Sequence, residues 1–343
     1  MKYLRKFNEA LSAPELSKIE EELLKFFPYI RGHFTINPED GKIDVDDDII
    51  LSSIQFYRNP SLSKGTKLPF EFGHVSNQFR IQEVPLTTLE GCPHTTNRFT
   101  VHKTQITDLV GGPETVVYYT ISSCDKLVSL KGLASTMYDL SINDCPITSL
   151  EGCPQVLKGN FDISDLLITN LVGGPKELDG ACIINGLPIT SLEGMPTKVR
   201  FLEIVCPNVW DPSPLRNVEV LSEEVIYIDG PLKYLIGFFC RLFGGLVQDD
   251  GEFLMLQEDD WWHKFRESLD YNYVRQRGGK WEINHFRFVE ALAELDMNPN
   301  DFDTGLQELM SIGPYFFLDE KGNRVNLLGD TIPNGDYWDS AYI

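Results

Sequence analysis

Residues 140–154 read LSINDCPITSLEGCP. Leu140 and Ile142 alternate with polar residues, as in a strand with one buried face. Ile147 and Leu150 then form a second pair of apolar residues, and the glycine and proline that follow them predict a turn. This stretch therefore predicts one strand, one corner and one turn, which together make a compact structural unit.

The same template occurs six times in the middle of the chain. Its second leucine recurs in steps of 20 or 21 residues, at Leu89, Leu109, Leu130, Leu150, Leu171 and Leu192. A short alternating stretch such as Phe79-x-Ile81 precedes each copy. Such regular recurrence predicts a solenoid, in which each unit is one coil that buries its apolar side against its neighbours.

One complete unit has the pattern LxLxx(N/C)xLxxL of leucine-rich repeats. The period is short for this class, so we expect a return path that is 3₁₀ or extended rather than fully helical. The position that usually holds a ladder-forming asparagine is occupied here by Val84, Thr104, Cys145, Leu166 and Leu187. These residues argue against an asparagine ladder in this chain.

The sequence predicts an α+β fold in three parts. Residues 1–42 are predicted to form an N-terminal helix and hairpin cap. Residues 43–215 are predicted to form the leucine-rich-repeat solenoid, with a parallel sheet of short period. Residues 216–343 are predicted to form a mainly α-helical C-terminal domain that ends in a β-hairpin.

Local signals support the two flanking parts. Ser12 and Glu15 have the spacing of a capping box at a helix start. Residues 29–36 and 41–45 resemble two strands around a turn, and residues 49–56 fit the strand half of a first repeat. In the C-terminal part, the candidate helices are residues 232–246, 258–273, 285–295 and 299–310, and the candidate hairpin is residues 315–328.

The charge balance bears on the class of partner. The chain has 51 acidic and 30 basic residues, a formal net charge of −21. This excess disfavours nucleic acid and anionic membranes as partners, so we expect a protein partner, with a basic surface if the acidity is specific. The alternative is that the acidity only keeps the chain soluble.

The cysteines and the N-terminus predict a compartment. None of the seven cysteines forms a CxxC pair, and most recur at repeat positions that require a small buried group. Residues 1–27 contain no uninterrupted apolar segment for secretion, and residues 235–247 are too short to span a bilayer. We therefore expect a soluble protein of a reducing cytoplasm.

No motif in the chain predicts catalysis, a metal or a cofactor. Phosphate-binding glycine loops, paired zinc ligands and nucleophile elbows are missing from the sequence. Asp44, Asp46, Asp47 and Asp48 could suggest a calcium loop, but their order favours a solvated turn or a guarded strand edge. Cys240 could suggest a catalytic thiol, but its apolar neighbours favour a buried structural one.

The residues that alternate with the buried positions of the strands are predicted to face solvent. This exposed face of the sheet is the candidate binding surface of a solenoid, since it gathers many shallow contacts. The alternative is that its side chains only solubilise the sheet. The candidate residues are Arg80, Gln82, Thr100, His102, Thr120, Ser122, Ser141, Asn143, Asp162, Ser164 and Asn185.

A second candidate site lies in the C-terminal part. Trp261 and Trp262 follow an acidic run over residues 249–260. Exposed tryptophans beside carboxylates would form a docking site with aromatic anchors. The alternative is an exposed loop leading into a helix N-terminus, where carboxylates complement the helix dipole.

With the repeat established, the chain resembles the short leucine-rich-repeat proteins found in tailed phages and some giant viruses. The resemblance rests on the LTSLEGxP-type units, the strand at residues 43–51 and the segment LPFEFG at residues 68–73. It covers residues 40–215 well and the segment around residues 270–275 loosely. The resemblance implies a virus-encoded protein acting in a host cell, with no catalytic residues to transfer.

Three functions are compatible with these observations. The first is an intracellular protein-interaction scaffold, which the resemblance implies is a phage factor that binds a host protein, including one of its defences. The second is a virion or assembly component whose repeats serve as packing surface. The third, which we favour least, is an enzyme in the C-terminal domain presented by the repeat array.

Overall fold

The computed structural model describes residues 10–58, 66–209, 211–221, 225–230, 232–242, 246–247, 252–254, 261–270, 274–277, 280–284, 315–319, 321, 323–325 and 331. Most of this structure is a parallel-sheet solenoid of about seven turns with few helices. The chain divides into two compact units. The first comprises residues 1–168 and 172–180, and the second comprises residues 169–171 and 181–343.

The first unit contains five of the turns, each of which begins with a strand of one parallel sheet. The sheet order is β1-β2-β4-β5-β6-β7-β9, and β3 also pairs with β4. The short strands β8 and β10 form a separate parallel pair on the return path. The elements are α1 (Ala13–Phe26), β1 (Phe34–Ile36), β2 (Ile43–Val45), β3 (Ile49–Ser52), α2 (Ser53–Arg58), β4 (Phe72–Gln82), β5 (Thr95–His102), β6 (Thr115–Ser122), β7 (Asp139–Cys145), β8 (Val156–Leu157), β9 (Phe161–Leu166) and β10 (Glu177–Leu178).

The core of the first unit is built from rows of equivalent side chains in successive coils. Phe79 pairs in register with Phe99, which pairs with Tyr119, and all three are buried. The Phe79 and Phe99 rings are stacked with centroids 5.9 Å apart. Leu89, Leu109, Leu130 and Leu150 are likewise at most 1% exposed. Each buried side chain of this size contributes about 1.5–3 kcal/mol, but only when a neighbouring coil covers it.

The turns that follow Leu89, Leu109, Leu130, Leu150 and Leu192 are each closed by a hydrogen bond and contain a glycine of positive φ. In the turn at residues 89–92, Cys92 N donates to Leu89 O over 3.0 Å, and Gly91 has a φ of 93°. This is the geometry of a type II turn, whose third residue favours glycine. Thr88 Oγ1 also accepts a hydrogen bond from Glu90 N at 3.2 Å, so the residue before the leucine braces the turn. The predicted turn is therefore confirmed.

The residues at the position of the missing asparagine ladder are all buried. Cys124 belongs to this row, although a one-residue offset in its repeat hides it in the sequence. The Cys124 and Cys145 thiols donate to the carbonyls of Ser122 and Asn143, at 3.4 and 3.3 Å. The thiols therefore make local backbone hydrogen bonds of the kind that a ladder side chain would otherwise supply.

The N-terminal elements agree with the sequence analysis in part. The helix begins as predicted, and the Glu15 carboxylate accepts hydrogen bonds from both the backbone N and the hydroxyl of Ser12. The hairpin forms from β1 and β2, but the predicted strand from residue 29 is wrong at Pro28–Ile30, which form a 3₁₀ turn.

The first repeat also departs from its predicted course. Residues 49–52 form the expected strand, but the chain then enters α2, where Ile54 is 59% exposed instead of inward-facing. Gln55 Oε1 accepts hydrogen bonds from the backbone N and the hydroxyl of Ser52, so a side-chain cap starts the helix.

The second unit contains the remaining turns, followed by strands and helices of other types. β11, β13 and β15 are parallel, β17 pairs antiparallel with β15, and β16 with β17. A separate sheet has the order β18-β19-β20-β21. The elements are β11 (Ala181–Asn185), β12 (Lys198–Val199), β13 (Phe201–Val205), a 3₁₀ helix (Ser213–Asn217), β14 (Glu219–Val220), β15 (Val225–Asp229), α3 (Leu232–Leu242), β16 (Leu246–Val247), β17 (Glu252–Leu254), α4 (Trp261–Asp270), β18 (Val274–Arg277), β19 (Lys280–Asn284), β20 (Tyr315–Leu318) and β21 (Arg324–Val325).

The C-terminal predictions fare unevenly. Two of the predicted helices correspond to α3 and α4, although both are shorter than expected, and the terminal hairpin forms from β20 and β21. The candidate helices at residues 285–295 and 299–310 lie outside the described residues. The strands from β15 to β19 were not predicted, so a mainly helical C-terminal part is not confirmed. Within the part of the chain that the structure describes, no helix has the length and apolarity needed to cross a bilayer.

The Ile147→Asp substitution tests the coupling between coils. Ile147 is fully buried in the first unit. An unpaired charge at this position should cost about 3–5 kcal/mol or more and unfold several coils together, because each coil braces its neighbours. Thr148→Asp places the same charge on the adjacent exposed residue and should leave the melting temperature nearly unchanged. Equal melting curves for the two variants, measured by circular dichroism, would contradict the assigned register.

The Gly132→Ala substitution tests how closely the coils pack. Gly132 has a φ of 87°, and an added Cβ would lie 2.5 Å from Val110 N in the preceding coil. Gly32 has a similar φ of 84°, but its Cβ would meet nothing within 4 Å. Gly32→Ala should therefore cost about 1–2 kcal/mol for the backbone conformation alone, and Gly132→Ala should cost about 1–3 kcal/mol more.

Urea denaturation of the two variants measures the difference in unfolding free energy. Similar decreases in unfolding free energy for the two variants would show that contact between coils adds nothing to the cost of Gly132→Ala.

Candidate functional site

The exposed face of the sheet carries the outward side chains of β4, β5, β6, β7 and β9. The strand register places Arg80 beside Thr100 and Thr100 beside Thr120, and this row continues through Ser141 to Asp162. A second row lies two residues further along each strand, and it consists of Gln82, His102, Ser122, Asn143 and Ser164. The side chains of both rows are half-buried. The structure therefore brings these ten predicted residues together on one surface.

Asn185 belongs to the second unit. It is exposed and ends β11 in the second unit, where it pairs in register with Val205. The other ten predicted residues lie in the two rows of the first unit.

A third row was missed by the sequence analysis. It consists of Gln78, Arg98, Tyr118 and Asp139, which pair in register two residues before the first row. The predicted strands begin at their first strongly apolar residue, whereas β4 to β6 start several residues earlier. Because strand side chains alternate, extending the outward positions back by two residues would have found this row.

Arginine, histidine and hydroxyl groups dominate the part of the face over β4, β5 and β6. A shallow open depression there has a volume of about 540 Å³. The Arg98 guanidinium carbon lies 5.3 Å from the centroid of the Tyr118 ring, in cation–π contact. His102 Nδ1 is 2.9 Å from Ser122 Oγ. The residues that line the depression are Gln78, Arg80, Arg98, Thr100, His102, Tyr118, Thr120 and Ser122.

The part of the face over β7 and β9 is a hydrogen-bonded network instead. Asn143 Nδ2 donates to Ser141 Oγ at 2.9 Å, and Asn143 Oδ1 accepts from Ser164 Oγ at 2.6 Å. Ser141 Oγ in turn donates to Asp162 Oδ2 at 3.3 Å. Burial raises the pKa of the Asp162 carboxyl, and the hydrogen bond from Ser141 opposes part of that rise. The two ends of the face therefore differ, with arginines over β4 and β5 and a carboxyl on β9.

Most of the cysteines have a raised pKa, whereas hydrogen bonds with Cys145 and Thr104 lower the pKa of Cys124. All seven are buried, including Cys240 as predicted, and none forms a disulfide. Burial raises the pKa of Cys153 and Cys182 to about 12 and that of Cys206 to about 11. These three thiols are therefore protonated at neutral pH, whereas a reactive cysteine is a thiolate.

The aspartates near β2 act on the protein's own backbone. Asp44 Oδ1 accepts a hydrogen bond from His74 N at 2.7 Å, and Asp48 Oδ1 accepts one from Gln78 N at 3.2 Å. Both carboxylates thus bind the first part of β4 in the next coil. Among the described residues no group of three or more histidine, cysteine, aspartate or glutamate side chains could hold a metal ion.

The predicted docking site at Trp261 and Trp262 is wrong in its premise of exposed rings. Trp261 is fully buried and Trp262 is 2% exposed. Trp262 Nε1 donates to Val218 O at 2.9 Å, and the Trp262 and Phe265 ring centroids are 5.3 Å apart. Both tryptophans are therefore core residues of the second unit. Most of the acidic run before them lies outside the described residues.

Comparison of the chain with protein-family models, with curated proteins and with solved structures found no match. The geometry of the sheet face therefore carries the functional argument.

The Asp162→Asn substitution tests the raised pKa. The folded protein holds this proton to a higher pH than the unfolded chain, whose carboxyl has an ordinary pKa of 3.8. Stability that depends on the proton is present below 3.8 and is lost as the pH rises through the folded pKa. The unfolding free energy of Asp162→Asn relative to the wild type should therefore increase with pH across this window.

Ser141→Ala is the companion variant for this measurement. It removes the hydrogen bond that opposes the rise, so the pKa of Asp162 should go up further and the loss of stability should extend to higher pH. Urea denaturation at a series of pH values measures both effects. A constant difference between the wild type and Asp162→Asn at every pH would contradict the assignment.

Proposed function

We propose that this chain is a leucine-rich-repeat protein without enzymatic activity, whose exposed sheet face binds another protein. One observation carries the proposal, namely the rows of polar side chains held in register across five parallel strands. Five strands at about 4.8 Å spacing extend roughly 20 Å across. A broad, shallow surface of this kind suits a protein partner, whereas small molecules usually bind in enclosed clefts.

The flanking elements support assignment of the two ends as caps. β1 and β2 form an antiparallel hairpin beside β4, where the parallel run begins. In the second unit β17 and β16 are antiparallel, so the parallel run ends at β15. Antiparallel strands at both ends would protect a solenoid from pairing with other chains. We assign residues 1–42, together with β2 at residues 43–45, to an N-terminal cap and residues 216–343 to a C-terminal capping domain.

The biological setting of this proposal rests on the resemblance to short viral leucine-rich-repeat proteins. In that setting the chain is a virus-encoded factor that acts in the host cytoplasm and binds a host protein, including a defence protein. The net charge of −21 favours a partner that is basic overall. The arginines on β4 and β5 give that part of the face a positive charge, opposite in sign to the net charge of the chain.

The Thr120→Arg substitution tests the proposed function. Thr120 lies at the centre of the first row, so a long charged side chain there should block a partner from the face. Thr148→Arg adds the same side chain at an exposed residue outside the three rows and is the matched control. The measurement is affinity capture with the intact chain from a lysate of the cells in which it is made.

We expect one protein to be recovered in stoichiometric amounts by the wild type and by Thr148→Arg and to be lost with Thr120→Arg. Unchanged melting curves would show that all three chains are folded. Recovery of the same proteins by all three chains, or of none, would contradict the proposal. Recovery of the chain in purified virus particles, with no effect of Thr120→Arg, would favour a structural component instead.

A further inference from the structure

We infer that the depression over β4, β5 and β6 is an oxyanion site that receives an acidic side chain of a protein partner. This inference rests on the proposed function, because it names the chemistry of the partner at one part of the same face. The shared chemistry is a carboxylate or phosphoryl group, and the site residues are Arg80, Arg98, His102, Thr100, Thr120 and Ser122.

Arg80 and Arg98 lie close together on the sheet face with no carboxylate between them. Arg98 pairs in register with Gln78, two residues before Arg80, so the two arginines are diagonal neighbours on adjacent strands. Such neighbours have Cα atoms roughly 7–8 Å apart, within reach of long side chains. Neither arginine makes an ion pair with any carboxylate of the described residues. In a chain of net charge −21, two adjacent cations without a counter-charge are an unusual local excess.

Arg80 also has a nitrogen that makes no hydrogen bond. Arg80 Nε is buried and has no hydrogen-bond partner within the described structure. A buried donor without an acceptor is costly, and a bound oxyanion would remove that cost. Arginine binds carboxylate and phosphate through two parallel N–H groups, one of which is frequently Nε. Because Nε is closed to solvent in this conformation, the Arg80 side chain would have to turn slightly before this donor could join a bidentate contact.

Contacts within the protein already orient the groups that surround Arg80. Contact with the Tyr118 ring fixes one face of the Arg98 guanidinium, and stacked arginines retain their edge donors for hydrogen bonding. Ser122 Oγ is 2.9 Å from His102 Nδ1 and so restrains the imidazole ring. Thr100 and Thr120 add hydroxyl donors in the row between these groups. Little ordering would be needed when an anion binds.

The nearby carboxylates that the structure describes make no ion pair with Arg80 or Arg98. Asp48 is engaged by the backbone N of Gln78, and Asp139, two strands from Arg98, accepts a hydrogen bond from Asn160 N at 2.7 Å. Asp162 shares the row of Arg80 but is four strands away, about 19 Å at the usual strand spacing. Charges separated by more than about 8 Å at physiological ionic strength are largely screened. The positive end of the face is therefore available to an anion.

The shape of the site favours a protein segment over a free small anion. The depression has a volume of about 540 Å³ and is open to solvent, and it adjoins polar rows that continue across β7 and β9. An acidic side chain can enter the depression while its backbone lies across the remaining strands. We therefore assign the occupant as an acidic segment of the partner.

The experiment measures binding of defined probes to the full chain at constant physiological ionic strength. The probes are fluorescein-labelled hexaglutamate and a labelled glycine-rich peptide with one phosphoserine, followed by fluorescence anisotropy. Unlabelled hexaglutamate, inorganic phosphate and hexalysine serve as competitors. We expect saturable binding of at least one acidic probe, displaced by hexaglutamate or phosphate and not by hexalysine. Preference for hexaglutamate would identify a carboxylate source, and preference for the phosphopeptide a phosphoryl source.

Substitutions locate the binding. Arg80→Gln combined with Arg98→Gln should weaken the acidic probe at least about tenfold, because two charge-assisted contacts are lost. Arg80→Lys combined with Arg98→Lys should recover part of the affinity, since charge returns without the bidentate geometry. Lys126→Gln removes an exposed cation outside the depression and should stay within about twofold of the wild type. Circular dichroism melts establish that each variant is folded.

Three results would overturn the oxyanion site. These are equal affinities in the wild type and the double glutamine variant, displacement of the acidic probe by hexalysine, and no saturable binding up to millimolar probe. In each case, loss of partner capture with Thr120→Arg would still support the proposed function. Conversely, arginine-dependent probe binding together with capture that ignores Thr120→Arg would support the anion site and contradict the wider proposal.

Discussion

Backbone hydrogen bonding between adjacent coils is the interaction on which the rest of the structure depends. After β4, β5 and β6, one residue donates a backbone hydrogen bond directly to the next coil. Glu83 N donates to His102 O at 2.9 Å, Lys103 N to Ser122 O at 3.1 Å, and Ser123 N to Asn143 O at 3.0 Å. These donors are non-glycine residues with φ between 50° and 55°. Left-handed backbone costs roughly 1–2 kcal/mol at such residues, so the ladder must offset a recurring strain.

This ladder sets the coil length and thereby the positions of every other feature. Because equivalent backbone atoms must meet in successive coils, the inward side chains fall into rows and the outward side chains into parallel rows. The glycine turns permit the same close approach at another corner, where the backbone of one coil touches that of the preceding one. The candidate site is a consequence of this arrangement, since no single coil contributes more than a few of its side chains.

The sequence predicts the parts of the fold that repeat, and it fails where a single contact overrides the repeat. The spacing of the leucines and the Gly-x-Pro turns was sufficient to predict the coils, because a wrong assignment in one repeat would recur in every other repeat and be visible there. The turn into α2 was missed because it depends on one cap, Ser52 with Gln55. Trp262 was misassigned because its burial depends on a distant carbonyl at Val218, which leaves no trace in local pattern. The site was predicted in its first two rows and missed in the third.

That omission bears directly on function, because Arg98 and Tyr118 convert a stripe of small hydroxyl residues into a distinctive surface. The acidic composition of the whole chain favours a basic partner, whereas the local arrangement over β4 and β5 favours an acidic contact. These are compatible, since charge attraction acts over the whole molecule and contact chemistry acts within a few ångströms. A scaffold of this kind can orient its partner by presenting arginines at one end of the face and a carboxyl at the other.

The most direct test of the account is the pattern of nuclear Overhauser effects between leucine methyl groups, measured on selectively methyl-labelled full-length protein. Adjacent coils should place equivalent leucines about 5 Å apart. The account predicts contacts from Leu89 to Leu109, from Leu109 to Leu130 and from Leu130 to Leu150, with none between Leu89 and Leu150. A direct contact between Leu89 and Leu150, or no contact between sequential leucines, would contradict the stacked coils.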